Sequence, residues 1–174
     1  MAFLRRPKCL EAIGNNGHAM PDGKATTTRA AFRLASAVTL SIDAPATTLW
    51  GLLTDLGAQS RWNSTSTSIE GTVALGQRVF FKVPEAPGQT FSPTVVAYDE
   101  AKSMVWRLNR WPLLVSNRTY RLEPGREGST EFSLAETFSG LLLPLIARSL
   151  PDFGRMFERT AADLKAAAEA RANI

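Results

Sequence analysis

The sequence predicts an α+β fold in which a curved antiparallel sheet of about seven strands wraps a long C-terminal helix. Segments with an apolar residue at every second position follow one another through the middle of the chain, which is typical of half-buried strands. The final segment has apolar residues three and four positions apart instead, which indicates one face of a helix. A curved sheet packed on one helix buries both apolar faces.

The first strand is predicted in "SAVTLSIDAP", where Val38, Leu40 and Ile42 alternate with polar residues. Two short helices are expected next. Pro45 fits a first helical turn, where a missing N–H costs nothing, and the leucines that follow share one face. Gly57 is predicted to end the first of these helices. Asp55 is expected to bond backbone N–H groups of the connecting turn.

Further strands are predicted in "GQRVFFKV", "QTFSPTVVAYDE" and "SMVWRLN", which are separated by turn-forming or charged residues. In the last of them Trp106 alternates with Met104 and Leu108, so its ring belongs to the core or to the wall of a cavity. "LLVSNRTYRLEPGREGSTEFSLAETFSG" is predicted to be a hairpin with its bend near Arg126.

The C-terminal helix is predicted from one apolar face that runs over about six turns. Its members are Ile146, Leu150, Phe153, Phe157, Ala161, Leu164 and Ala168. Pro144 suits the start of this helix, while Pro151 and Gly154 are expected to bend or interrupt its first part.

Residues 1–35 lack periodicity and are predicted to form a flexible basic leader ahead of one domain over 36–172. The formal net charge of +4 is confined to 1–36, where six basic residues face two acidic ones; the other 14 basic and 14 acidic residues cancel. A domain without net charge lacks the basic surface that is typical of nucleic-acid-binding proteins. Weak contact with a membrane surface is the alternative to a solvated leader.

Two further observations indicate the compartment. No apolar run is long enough to cross a membrane, so no integral membrane contact is expected, and the N-terminal segment lacks the apolar block of a secretory signal. A cytoplasmic location is therefore predicted. The single Cys9 rules out an internal disulfide.

Histidine and cysteine set limits on the chemistry of the domain. His18 is the only histidine and Cys9 the only cysteine, and both fall in the predicted leader. The domain therefore has no Cys–His or Ser–His–Asp nucleophilic device and no His/Cys metal cluster. Glycine-rich phosphate loops are also absent from the sequence. No metal and no cofactor are predicted.

Two charged residues interrupt the inward apolar faces of the predicted hairpin. Arg118 lies at the parity of Ser116 and Tyr120, and Glu136 at the parity of Leu134. A bend near Arg126 pairs position 118 with 134 and places it diagonal to 136, within reach. A buried pair of this kind is either a structural ion pair or a ligand anchor, because an unpaired buried charge is too costly. Both interpretations stay open.

Three segments resemble the START-like superfamily called SRPBCC, which includes polyketide cyclases and dehydrases, lipid-transfer domains and coenzyme Q-binding proteins. They are "SIDAPATTLWGLLTDLGAQSRWN", "GLLLPLIARSL" and "FERTAADLKAAAEA". The resemblance covers about residues 37–172, and Ser64 stands where a common family form has proline after Trp-Asn. It implies a helix-grip fold with a deep, mostly apolar cavity between the sheet and the C-terminal helix.

The implied cavity gives a set of candidate ligand-binding residues, with "FSGLLLPLI" and "NRWPLL" as a gate. The set is Phe81, Trp106, Trp111, Arg118, Tyr120, Leu134, Glu136, Leu142, Phe153 and Phe157. Trp111 is either a lip of the portal or a cover for a sheet edge.

Three functions compete on this basis. The first is binding of a hydrophobic small molecule, such as a lipid, polyketide or isoprenoid-like compound. The second is a polyketide cyclase or dehydratase that works by positioning and acid–base help, with Arg118, Glu136, Tyr98 and Tyr120 as candidate catalytic residues. The third is a protein-interaction or chaperone-like module that uses Trp111 and the gate.

Overall fold

The computed structural model describes residues 22–84, 86–147 and 150–172. Within these ranges the chain forms eight strands and four helices in the predicted α+β order. The strands are β1 (Thr26–Ala30), β2 (Arg33–Ile42), β3 (Ser68–Gly71), β4 (Val79–Lys82), β5 (Thr94–Asp99), β6 (Ser103–Arg110), β7 (Leu114–Pro124) and β8 (Thr130–Ser139). The helices are α1 (Ala46–Thr54), α2 (Leu56–Trp62), α3 (Leu143–Ile146) and α4 (Phe153–Ala172). None of these helices combines the length and the apolar composition that crossing a membrane requires.

Six strands form one antiparallel sheet in the order β1-β2-β8-β7-β6-β5. Strands β3 and β4 pair with each other, and isolated bridges join Arg78 to Thr94 and Phe81 to Phe91, so this pair continues the sheet beyond β5. Strand β1 and the start of β2 fall within the range predicted as leader. Strand pairing therefore begins earlier in the chain than the sequence indicates, while residues 1–21 lie outside the described residues.

The helical insert follows β2 and breaks at Asp55, so the predicted stop at Gly57 is wrong. The Asp55 side chain accepts a hydrogen bond from the backbone N–H of Ala58 at 3.1 Å. This bond caps the start of α2, and a new helix therefore begins before the glycine is reached. Leu49, Leu52 and Leu53 of α1 are buried as their spacing predicts.

The C-terminal apolar face is divided between two helices, with Pro144 in the first turn of α3. The long helix α4 begins only at Phe153, because Pro151 has no N–H to continue α3. Asp152 then accepts a hydrogen bond from the backbone N–H of Arg155 at 3.2 Å, which caps the new helix. The interruption expected at Pro151 is thus present.

Helix α4 packs against the sheet mainly on strand β2. Ala161, Leu164 and Ala168 of the helix are fully buried there, in a core shared with α1 and the inward faces of the strands. A second, small cluster of Leu34, Phe138 and Leu143 lies at the α3 end of the sheet. The curvature of the sheet leaves space under the first turns of α4, between these two clusters.

Candidate functional site

The centre of the site is an ion pair on the inward face of the hairpin β7–β8. Arg118 and Glu136 face each other directly in the register, because the hairpin bends at Glu127 rather than at Arg126. Nε and Nη2 of Arg118 donate to one carboxylate oxygen of Glu136, at 2.9 and 2.7 Å. The side chains are only 15% and 7% exposed, so the pair is buried. The structure therefore brings together the two charges that the sequence placed diagonally.

Ser116 completes the cluster. It lies two residues before Arg118 on the same face of β7 and is buried, and its hydroxyl donates to the other carboxylate oxygen of Glu136. Both oxygens of Glu136 are thereby bonded, which is what a buried carboxylate requires. Sequence parity pointed Ser116 inward, but nothing in the sequence marked it as a partner of Glu136.

The surroundings of Arg118 keep it charged. Burial lowers the pKa of the guanidinium, but Glu136 and Tyr120 more than offset this, so the pKa lies above its ordinary value. The guanidinium carbon also lies 5.2 Å from the ring centre of Phe81 and 5.5 Å from that of Phe157, in cation–π contact. Burial raises the pKa of Tyr120, which Arg118 partly opposes, so its phenol is a proton donor at neutral pH.

A cavity of about 90 Å³ opens beside this cluster. Among the described residues that line it, all are apolar except Ser116, Arg118 and Glu136. The other lining residues are Phe81, Val83, Phe91, Pro93, Trp106, Leu108, Leu114, Phe138, Leu150, Pro151, Phe153 and Met156. Five of the predicted ligand-binding residues line it: Phe81, Trp106, Arg118, Glu136 and Phe153.

A smaller inner cavity of about 30 Å³ adjoins it, with Phe81, Trp106 and Arg118 among the walls that the two share. Three more predicted residues line this inner space: Tyr120, Leu134 and Phe157. Much of the remaining wall is polar, from Gln59, Asn63, Thr65, Ser66 and Thr160.

The polar wall of the inner cavity is held by a hydrogen-bond network. Asn63 accepts from the backbone N–H and the hydroxyl of Thr65, at 3.0 and 2.7 Å. Thr65 in turn bonds Thr160 of α4 at 2.9 Å. Among the described residues, the buried Nε1 of Trp106 and the hydroxyl of Ser66 have no hydrogen-bond partner. The sequence could not reveal these two groups, because their isolation depends on the three-dimensional packing.

Three predicted site residues lie away from both cavities. Tyr98 accepts a hydrogen bond from Nε1 of Trp50 at 3.3 Å on the outer part of β5. A bulge after Val95 shifts the register of β5 against β6, so that Tyr98 lies opposite Met104. Trp111 is exposed at the β6–β7 turn, and Leu142 lies just before α3 without reaching a cavity wall.

Within the described ranges, no three His, Cys, Asp or Glu side chains come together as metal ligands. Cys9 and His18 lie outside those ranges. Among the described residues, the polar groups at the two cavities are a guanidinium, a carboxylate, a phenol, hydroxyl and amide groups and an indole N–H.

Comparison with protein families places this chain. The sequence model of the family described as polyketide cyclase / dehydrase and lipid transport matches residues 33–169. The protein belongs to this family. The START-like SRPBCC resemblance of the sequence is thereby confirmed. A comparison with curated protein sequences finds no significant match.

Solved structures with the same fold include the di-domain ARO/CYC protein StfQ from the steffimycin biosynthetic pathway, with a TM-score of 0.64 and 12% identity over 82% of this chain. The chain spans about half, 53%, of StfQ. A START superfamily protein from Mycobacterium smegmatis has a TM-score of 0.60 and 19% identity, with 79% and 98% of the two chains covered. Truncated norcoclaurine synthase from Thalictrum flavum has a TM-score of 0.60 and 9% identity, with 82% and 98% covered. At these identities the likeness shows the helix-grip fold.

Proposed function

We propose that this protein binds a hydrophobic small molecule of the lipid, polyketide or isoprenoid kind between the sheet and α4. The observation that carries the proposal is an apolar cavity whose wall contains one fully bonded charge cluster, Ser116–Glu136–Arg118. Apolar pockets with a few convergent polar groups are the usual form of a small-molecule site. The family match is consistent with a hydrophobic ligand.

The ligand is expected to carry an oxygen at one end. Arg118 lies at the boundary of the two cavities, and Trp106, whose indole N–H has no partner within the described residues, lines both. A buried donor without a partner gains a hydrogen bond when an acceptor arrives. A carbonyl or hydroxyl oxygen at this boundary, with an apolar body in the outer cavity, satisfies both the donors and the apolar wall.

Ligand entry requires side chains to move. Cavities of about 90 and 30 Å³ are smaller than the ~300 Å³ at which ligand pockets ordinarily begin. Leu150, Pro151 and Phe153 form one side of the outer cavity where the chain enters α4, and all three are half-buried. Displacing the side chains of Leu150 and Phe153 enlarges the space without disturbing the sheet.

Displacement of an environment-sensitive hydrophobic dye, together with native mass spectrometry, tests this proposal. Leu108→Trp places a large ring in the outer cavity and should abolish dye binding. Leu75→Trp, at an exposed position outside the cavity lining, serves as the matched control and should bind the dye like the parent protein. Equal dye binding by both variants, or no bound dye or small molecule in the parent protein, contradicts the proposal.

A second candidate function is that of a cyclase or dehydratase, and the presence of Arg118 and Tyr120 on the wall of the inner cavity favours it. A cation kept charged beside a phenol kept protonated can polarise a ligand carbonyl by two hydrogen bonds. StfQ and norcoclaurine synthase, which share the fold, carry the names of enzymes. Their names support this candidate by fold analogy alone.

Turnover of a β-polyketone mimic tests the second candidate. Arg118→Ala, Glu136→Gln and Tyr120→Phe should each lower kcat/KM about 100-fold or more, the usual contribution of a positioned acid or base. Tyr98→Phe, which removes a hydroxyl away from the cavities, should leave kcat/KM unchanged. Unchanged turnover in both Arg118→Ala and Glu136→Gln excludes the enzyme assignment.

A further inference from the structure

Five large apolar side chains are exposed together at one end of the sheet. We call them the apolar tip: Phe32, Trp111, Leu113, Leu141 and Leu145. Trp111 is 75% exposed and Leu145 80%, so these side chains project from the surface. They come from three separate places in the chain, namely the β1–β2 turn, the β6–β7 turn and the segment that leads into α3.

The strand register and three backbone hydrogen bonds hold these places together. Arg33 and Val115 both pair with Ser139, so β2, β7 and β8 all reach the same end of the sheet. The N–H groups of Gly140, Leu141 and Leu142 donate to the carbonyl groups of Phe32, Pro112 and Leu113, at 3.3, 3.1 and 3.0 Å. The apolar tip is therefore one surface on a fixed backbone frame.

The charged residues in the three segments that carry the apolar tip have a single sign. In residues 29–33, 109–114 and 139–147 the charged side chains are Arg29, Arg33 and Arg110, and none is acidic. All three arginines are exposed, and none forms an ion pair with another described residue. Arg110 also lines a surface depression with Arg78 and Arg107, and no acidic residue lines it.

We propose that the apolar tip docks on an anionic lipid surface. Tryptophan is favoured at the level of the lipid headgroups, where its ring is apolar on the whole and its N–H is polar. Leucine side chains enter the acyl boundary below, and arginines above them bind lipid phosphates. The arrangement at the apolar tip, with projecting Trp111 and leucines and a basic surround, has each of these parts.

The same charges argue against a second copy of the chain as the occupant. A two-fold interface brings identical patches together, so a patch whose charges are arginines meets a second patch of the same sign. Such like-charge contacts are costly across an interface.

The apolar tip lies next to residues that line the outer cavity. Leu143, between the exposed Leu141 and Leu145, is buried in the cluster with Leu34 and Phe138, and Phe138 lines the outer cavity. A hydrophobic ligand that enters from this side passes from lipid to cavity with little exposure to water. Docking itself needs no bound ligand, so this inference stands independently of the proposed function.

Co-sedimentation of the full chain with vesicles tests the inference. We expect binding to vesicles of phosphatidylcholine and phosphatidylglycerol in equal parts, weaker binding as salt is raised, and little binding to phosphatidylcholine alone. The double variant Trp111→Ser/Leu145→Ser should lower the partition coefficient by about tenfold or more. Leu75→Ser, a comparably exposed leucine outside the apolar tip, should leave it unchanged.

A second measurement locates the contact. Lipids with brominated acyl chains should quench the fluorescence of the parent protein, and Trp111→Phe should lose most of this quenching while keeping its binding. Equal partition of the double variant and Leu75→Ser overturns the inference, as does an absence of binding to anionic vesicles. Concentration-dependent dimerisation that Trp111→Ser abolishes also overturns it, in favour of a second copy.

Discussion

Arg118 occupies a position where a cation is costly unless every part of its surroundings compensates. Glu136 neutralises it through two hydrogen bonds, and the rings of Phe81 and Phe157 cover it. Ser116 then holds the carboxylate from the other side. The three polar residues therefore act as one unit, in which loss of any member leaves a buried group without its partner.

Loss of the carboxylate should be far more costly than loss of a similar charge at the surface. Glu136→Gln leaves Arg118 buried without a counter-charge and should lower the free energy of unfolding by about 3 kcal/mol. Glu123→Gln removes the partner of Arg121 in a more exposed pair and should cost less than about 1 kcal/mol. Urea unfolding of both variants measures the difference. Equal losses would show that Glu136 does not compensate a buried charge.

Tyr120 gives a titration that can be followed by itself. The chain has two tyrosines, so Tyr98→Phe leaves Tyr120 as the only phenol that absorbs. Because burial raises its pKa in the folded state, absorbance near the phenolate band should rise with a midpoint above 10.0. The stability that Tyr120 contributes is present below pH 10.0 and is lost as the pH rises through the folded-state pKa.

The control for this titration is Arg118→Gln in the same Tyr98→Phe background. Arg118 lowers the pKa of Tyr120 against the effect of burial, so its removal should move the midpoint higher still. A midpoint at or below 10.0 in the Tyr98→Phe protein would mean that the phenol is solvated.

Strand parity predicted the two charged residues of the site but not the positions of its other polar groups. Alternation alone identified Arg118 and Glu136 as inward charges on neighbouring strands. It did not place Tyr98, which the sequence offered only as a candidate hydroxyl; after the bulge at Val95 this residue lies opposite Met104, and its hydroxyl accepts a hydrogen bond from Trp50. The indole N–H of Trp106, which has no partner among the described residues, has no sequence signal, because its isolation depends on how the other strands and α4 pack around it.

The order of strands and helices was predictable because strands and helices have different periods of apolar residues. The residues at which the helices begin and end were less predictable. The apolar spacing from Ile146 to Ala168 follows one helical face, and Pro151 predicts the interruption that divides this face between two helices. The first helix ends at Asp55 rather than at Gly57, because a side-chain cap acts before the glycine. A side-chain cap decides where the first helix ends, and the period of apolar residues does not report it.

Gly140, between β8 and α3, is required by close backbone packing, whereas Gly51 inside α1 is not. Gly140 has φ of +141°, and a Cβ there would lie 2.3 Å from the carbonyl oxygen of Leu113. Gly140→Ala should therefore lower the free energy of unfolding by about 2 kcal/mol or more. Gly51 lies in α1 with no atom near its Cβ position, so Gly51→Ala should stabilise by about 0.5–1 kcal/mol. Thermal unfolding measures both, and changes of the same sign would contradict the argument.

The whole molecule has a packed end and a hollow end along α4. Near its C-terminus the helix lies tightly on β2, and near its N-terminus Phe153 and Met156 face the outer cavity. The helix-grip arrangement was predictable from the order of elements. The size of the hollow was not, because it depends on sheet curvature and on which rotamers fill the gap, and neither is encoded in a local pattern.

This difference predicts unequal costs for two truncations of similar size. Leu164→Ala opens a void in the packed end, where Leu164 is fully buried, and should cost about 3 kcal/mol. Met156 lines a cavity that already exists, so Met156→Ala removes fewer packing contacts. It should lower the free energy of unfolding by about half as much as Leu164→Ala. Urea unfolding with unchanged m-values gives the comparison, and equal losses would mean that the N-terminal end of α4 is as tightly packed as the rest. Because the space added by Met156→Ala lies beside Arg118, this variant should also bind the hydrophobic dye more tightly, whereas Leu164→Ala should not.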